Sequence, residues 1–280
     1  MSYLHLSRIR VRAANALAGN YAINAAPVMA IVLFMHNLGL KTGCRPRRVA
    51  ILHHDGQLLG EFGSDGFYDF HPQQRRGATF IDAKDYSKKN ARALSLQPTA
   101  SCHLVISLLI EVDGPANKKK VERFLHSARI AGGSVDEVGD VDVQDDPDAL
   151  QLRNGFWLIE RSDLMAAHDH PVEALVAAIG SRATRSKTEQ EDNPTLPRSW
   201  LAATVLGYAA ITPFARRDGV RMTGQHPDED GEHPLHAYSE PLLGLVQYVS
   251  RRDYGPRPIP FWEHTWLQDD VFIVRQTQTS

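Results

Sequence analysis

Residues 102–112, CHLVISLLIEV, decide how this chain is read. Cys102, Leu104, Ile106, Leu108, Ile110 and Val112 share one side of an extended chain, and His103, Val105, Ser107, Leu109 and Glu111 share the other. Side chains alternate along a strand with a period of two, so the first row must cover a core while the second is half polar. Asp113-Gly114-Pro115 then turns the chain. Val121, Phe124, Leu125 and Ala128 follow at i, i+3, i+4 and i+7, an amphipathic helix with Lys118, Lys119, Arg123 and Arg129 on its wet side. Ala131-Gly132-Gly133-Ser134 closes that helix, and a short alternating segment comes next.

Upstream, residues 4–13, LHLSRIRVRA, alternate as well, with a register defect near Ser7. Leu6, Ile9, Val11 and Ala13 are the small or apolar members, and Arg8, Arg10 and Arg12 line the opposite face. Pro27 to Leu38 is apolar nearly all round; Pro27 suits a first helical turn and Gly39 a stop, which predicts a buried helix. Arg48 to His53 predicts a second strand. The order strand, helix, strand, long insertion, strand, helix, glycine turn, strand is βαββαβ. The expected fold class is therefore α+β, a ferredoxin-like palm over residues 1–145 of the kind RNA-recognition modules use, with a C-terminal α/β extension over 146–280. Such a palm carries helices on one face and leaves the other free, and the arginine face is the candidate free side.

The insertion, a thumb over about residues 60–98, has Gly60, Gly63, Gly66 and Gly77 and few aliphatics. It interleaves Phe62, Phe67, Tyr68, Phe70, Phe80 and Tyr86 with Arg75, Arg76, Lys84, Lys88, Lys89 and Arg92. Long loops inside compact domains are functional or unstructured, and aromatics mixed with bases suit stacking and phosphate contact on a single strand. The alternative is a hairpin whose aromatics only pack on the domain. Beyond 135 the pattern changes. Asp136 to Asp148 holds seven acidic residues and no base, a solvated loop. Gly155 to Glu160 and Ala202 to Ala210 are expected strands, and Ser162 to Ile179 a helical stretch broken at Pro171. Residues 182–199 form a polar loop, Pro241 to Val249 a short helix, and Val271 to Val274 a closing strand.

Charge follows the same division. Residues 1–130 contain 18 Lys or Arg against 9 Asp or Glu, and residues 131–280 contain 13 against 24, so a net charge of −2 hides a basic half and an acidic half. A basic surface for a polyanion is one reading; accidental segregation is the other. The 42% hydrophobic content over 280 residues excludes general disorder and suits one large or two modest domains. Cys44 and Cys102 form no CxxC, the longest apolar run (Ala26 to Met35) is half a membrane span, and Arg8, Arg10 and Arg12 precede no leader-like stretch, so a cytoplasmic protein without membrane contact is expected. His53-His54-Asp55, His168-x-His170 and the histidines at 226, 233 and 236 lack metal-ligand spacing, and no GxSxG, GxxxxGK[ST] or GxGxxG occurs. Neither a metal nor a cofactor is expected. Gly132-Gly133 serves either as a helix cap or as a place where backbone amides approach a phosphate.

Seven segments, in order, resemble the Csy-two subunit of subtype I-F CRISPR surveillance complexes. They are RIRVRAANALAG (8–19), FMHNLG (34–39), SCHLVISLLIEVDG (101–114), ARIAGGSVDEV (128–138), GFWLIERSDLM (155–165), VLGYAAITP (205–213) and LLGLVQYVS (242–250). The resemblance implies a RAMP-type palm with a thumb, in the Cas-five class, without catalysis. It implies that the subunit holds the 5′ handle of the CRISPR RNA, caps the backbone filament, and contacts a backbone subunit, a large subunit and target DNA near its flanking motif. DNA sequence is then read by the guide through base pairing. Carried over by position, Arg10, Arg12 and Asn15 lie in the family's first strand and following loop, Arg75 and Arg76 in the thumb, and Gly132 and Gly133 in the glycine turn. The thumb shares little with the family and the chain is shorter than its usual members.

The RNA-binding residues expected on these grounds are Arg8, Arg10, Arg12, Asn15, Phe70, Arg75, Arg76, Lys84, Lys88, Lys89, Arg92, His103, Gly132 and Gly133. Two rival readings remain at this point. One is an endoribonuclease that processes precursor CRISPR RNA with His53, His54 or His103 as general base. The other is a protein-interaction module that never touches RNA.

Overall fold

The computed structural model describes residues 1–19, 22–62, 70–72, 100–179, 201–215 and 235–276. Its centre is three long strands: β1 (Ser2–Asn15), β2 (Arg45–Leu58) and β3 (Ser101–Asp113). β3 lies between the other two, antiparallel to both. The far edge of β1 is shared by β5 (Gly133–Glu137), which carries the short β4 (Arg129–Ile130), and by β6 (Val141–Gln144).

The far edge of β2 is taken by the C-terminal half. It pairs with β7 (Phe156–Glu160) at Leu52 and His53 and with β10 (Trp262–Gln268) at Val49. β8 (Leu201–Ala210), β9 (Ser239–Ser250) and β11 (Val271–Gln276) complete the path β7-β9-β8-β11-β10. The pairings thus run in a closed circuit from β2 through these five strands and back.

The expected α+β ferredoxin-like palm is overturned by this arrangement. Among the described residues the chain is mostly β, organised on one antiparallel sheet of 11 strands, with strands from both sides of residue 145 in it. The physical reason is in the second row of the central strands. Ala50 and Leu52 of β2 and Leu109 of β3 belong to it, and a sheet with one bare face would leave them in water. Instead Leu150, Trp157 and Phe261 from the C-terminal half bury them in a second small core.

The main core lies under the first row. α1 (Val28–Thr42) lays Val28, Ile31, Val32, Met35 and Leu38 against Leu6, Ile9, Leu104, Ile106, Leu108 and Ile110, all essentially inaccessible. α1 outruns its expected stop at Gly39. Gly39 stays inside the helix, where Pro46 packs so close that a Cβ would come within 2.7 Å of it, and the helix ends at Gly43 with a left-handed φ of 76°. α2 (Lys118–Leu125) adds Val121 and Leu125 to the same core.

Three local expectations also change. Pro241 to Val249 is a strand, part of β9: a short apolar run does not distinguish helix from strand, and two neighbours supply its backbone partners. The acidic stretch contains β6, whose Val141 is buried against α2 and β1. Gly132 and Gly133 lie away from the helix, which ends at Leu125; Ala131 and Gly132 are the two-residue turn between β4 and β5, with φ of 48° and 75° as such hairpin turns require. Cys44 and Cys102 are both free thiols. Among the described residues no helix is long and apolar enough to cross a membrane.

Candidate nucleic-acid interface

β1 slips register twice against β3, between Leu6 and Ile9 and again between Val11 and Ala14. The bulged residues Arg8 and Ala13 take φ of 45° and 55°, which costs a residue with a Cβ about 1–2 kcal/mol. Each bulge is held by a side chain of the second row of β3. The Arg8 N–H donates to Ser107 Oγ at 2.9 Å, and the Ala13 N–H donates to His103 Nδ1 at 3.2 Å. Half-polar alternation in β3 therefore has a local purpose: its Ser and His satisfy backbone that the ladder has released.

Between the two bulges stand Arg10 and Arg12. Their side chains are 58% and 70% exposed, and each meets an acid on or beside β5: Arg10 Nε lies 3.2 Å from Glu137, Arg12 Nε 2.6 Å from Asp136. The charge halves of the sequence are thus interleaved in space, because the acidic stretch folds directly alongside the basic strand. Exposed pairs of this kind contribute about 0–1 kcal/mol, so a competing phosphate displaces them at little cost. Arg8, half-buried, forms no ion pair with an acid among the described residues; its charge helps to lower the pKa of His54, after burial.

Asn15 is exposed at the end of β1 and closes its own turn, accepting the Leu17 N–H at 3.0 Å. Its backbone N–H donates to Ala131 O, which brings the β4–β5 turn against this end of the strand. The two glycines of that turn differ. A Cβ on Gly132 would meet nothing within 4 Å, whereas one on Gly133 would lie 2.6 Å from Ala14 N and 2.7 Å from Arg12 O. Gly132 leaves open space beside Asn15. Gly133 serves the close approach of β5 to β1.

His103 accepts at Nδ1, so its proton sits on Nε2, which is a hydrogen-bond donor. His54 is engaged at both nitrogens, with Asn154 O at 2.8 Å and Ser107 Oγ at 2.7 Å. The carbonyl can only accept, so His54 Nδ1 donates to it and Nε2 accepts from the Ser107 hydroxyl. His53 is buried edge-on against Tyr248 with ring centroids 5.0 Å apart, and burial, then the adjacent His54, pushes its pKa down to about 4. None of the three offers a free, exposed lone pair. Among the described residues no group of three His, Cys, Asp or Glu side chains is placed to hold a metal ion.

A model of a family described as CRISPR-associated protein (Cas_Csy2) matches residues 4–265. The chain belongs to the Cas_Csy2 family. The match runs from β1 into β10, across both the arginine-bearing strands and the C-terminal circuit. No curated protein matches the chain. As a Cas_Csy2 member it is a CRISPR-associated subunit.

In this Cas_Csy2 chain the structure brings Arg10, Arg12, Asn15, His103 and Gly132 to one end of the sheet, with Arg8 one bulge away. Phe70 lies in a short strand (Phe70–Pro72) paired with Gly60–Phe62. Arg75, Arg76, Lys84, Lys88, Lys89 and Arg92 lie outside the described residues. Arg129 was hidden from sequence reasoning, which puts it on the wet side of a helix. It is in β4, exposed, and its guanidinium donates to Gly132 O at 3.3 Å, which adds a cation to the same end. The signal that could have found it is the Ala131-Gly132 pair, which reads equally as a hairpin turn.

Proposed function

We propose that this chain is a non-catalytic subunit of a type I-F CRISPR RNA-guided surveillance complex, that it binds the 5′ handle of the CRISPR RNA on the β1 face, and that it caps the backbone and assists target DNA recognition. One observation carries the reading: two solvent-facing guanidiniums on adjacent same-face positions of β1, held only by exposed acids. Phosphates replace such acids readily, because a guanidinium matches phosphate in geometry and the exchanged pairs are weak. Same-side residues of a strand are about 7 Å apart, close to the spacing of successive phosphates along an extended strand. The His103 Nε2–H, the Asn15 amide and the open side of the turn at Gly132 supply neutral contacts beside them. The three histidines act as donors or as structure, which favours holding RNA over cutting it.

The test is binding of the full chain to a handle RNA across a salt series. A phosphate-reading face loses affinity steeply as salt rises, with a slope of about 0.7 for each phosphate on a single strand. Arg10→Ala with Arg12→Ala is expected to weaken binding at least about tenfold and to lower that slope by a little over one. Undiminished affinity in the double variant removes this face from the site. Cleavage of precursor RNA that disappears with His103→Ala makes the protein an endoribonuclease instead.

A further inference from the structure

On the second-row side of the sheet, beyond the Arg8 bulge from the arginines, is a cavity of about 730 Å³. β1 lines it with His5 and Ser7, the entry to β6 and β6 itself with Asp140 and Asp142, and the chain before β7 with Arg153 and Asn154. His5 is 3% exposed, yet its Nε2 is buried with no hydrogen-bond partner. Native interiors rarely leave such an atom unsatisfied, and one that lines a cavity points to a partner that the free chain does not contain. Asp142 stands directly across from His5 in the β1–β6 register. Neither Asp140 nor Asp142 forms an ion pair among the described residues, and two carboxylates against the single Arg153 leave the cavity acidic.

We propose that this cavity is the docking site for an arginine side chain of a neighbouring protein subunit, with Asp140 and Asp142 taking the charge and His5 Nε2 accepting one guanidinium N–H. A guanidinium carries five donors in a planar fork and no acceptor, the complement of two carboxylates and an imidazole lone pair. Burial holds His5 below its usual pKa, against the pull of Asp142 and Asp140, so the neutral ring keeps that lone pair. Phosphate is the poorer occupant, since both acids repel it. The site lies further along the same face, beyond the bulge at Arg8, and shares no residue with the arginine site, so neither proposal depends on the other.

The experiment titrates the full chain with the peptide acetyl-Gly-Arg-Gly amide and follows the His5 imidazole resonances by NMR. The citrulline peptide, isosteric but uncharged, and cytidine 5′-monophosphate are the comparison probes. Saturable shifts with the arginine peptide, absent with citrulline, are expected, and binding weaker by at least about tenfold in Asp140→Asn with Asp142→Asn. Any of three results overturns the proposal: no shift with the arginine peptide, equal shifts with citrulline, or unchanged affinity in the double variant. Preferential binding of the nucleotide also overturns it and makes the cavity a nucleotide pocket. No arm uses handle RNA, so failure here leaves the RNA reading standing or falling on its own test.

Discussion

The two ends of the second row of β3 obey the same alternation and meet opposite fates. At one end Leu109 and Glu111 are sealed beneath Leu150, Trp157 and Phe261. At the other, His103 and Val105 stay half open beside Arg10 and Arg12. The sealed end must satisfy its polar groups internally. Glu111, 3% exposed, takes Arg48 at 2.7 Å and the Tyr3 hydroxyl at 3.4 Å, and the Arg48 guanidinium lies 4.5 Å over the Phe261 ring. The open end uses its polar groups to hold bulged backbone and leaves its charges in water. What separates buried from solvent-facing polarity on one strand is therefore the covering layer, supplied by chain 40 to 150 residues downstream.

If that layer is what divides the strand, removing its largest piece should hurt stability most and RNA binding least. Trp157→Ala empties the sealed end and is expected to cost about 3–5 kcal/mol in urea unfolding. The folded fraction should still bind handle RNA. A loss under about 1 kcal/mol would mean that the cover is dispensable.

On the other face of the sheet, His53 stands across from Ile106 and adds a pH signature. Its folded pKa is pushed down to about 4 from 6.5, so the unfolded chain takes up the proton first. The stability it contributes is complete above about pH 6.5, falls as pH drops toward 4, and levels off below. The full swing is about 3 kcal/mol. Unfolding followed from pH 7 to pH 4 should show this slope, and His53→Gln should flatten it. An unaltered slope would place the acid sensitivity elsewhere.

The turn at the open end offers a sharper contrast between neighbours. Gly133→Ala drives a Cβ to 2.6 Å from Ala14 N and should cost about 1–3 kcal/mol, with β5 displaced from β1. Gly132→Ala meets no atom and carries only the strain of a φ of 75°, about 1 kcal/mol. If Gly132→Ala nonetheless weakens handle RNA binding while Gly133→Ala, in its folded fraction, does not, the open space beside Asn15 is occupied by RNA. The reverse result would assign the turn to folding alone.

Long strands were legible because their alternation is local. β3 and β1 could be drawn from residues alone, down to the defect near Ser7 that is the first bulge. The second bulge, at Ala13, left no mark, since LHLSRIRVRA keeps alternating through it. Fold class failed where local pattern meets tertiary demand: Leu109, Ala50 and Leu52 are apolar in a half-polar row, and their covers lie far along the chain. β9 failed because a short apolar run fits either period until its neighbours are known. At the candidate site, residue types and the strand face were readable for Arg10, Arg12 and His103. The acids opposite the arginines were not, because pairing of β5 with β1 is a tertiary fact that net charge by halves conceals.

The smallest effect is also the one that protects the functional reading. Arg10→Ala with Arg12→Ala removes two exposed ion pairs and no buried contact, so stability should stay within about 0.5 kcal/mol of the parent. The freed Glu137, 65% exposed, stays in water, and Asp136, 33% exposed, keeps part of its hydration, so little desolvation penalty is incurred. Equal urea midpoints together with weakened handle binding would show the arginines acting on RNA rather than on the fold. A midpoint loss beyond about 1 kcal/mol would instead make the pairs part of the β1–β5 seam, and the open end would then be no different in kind from the sealed one.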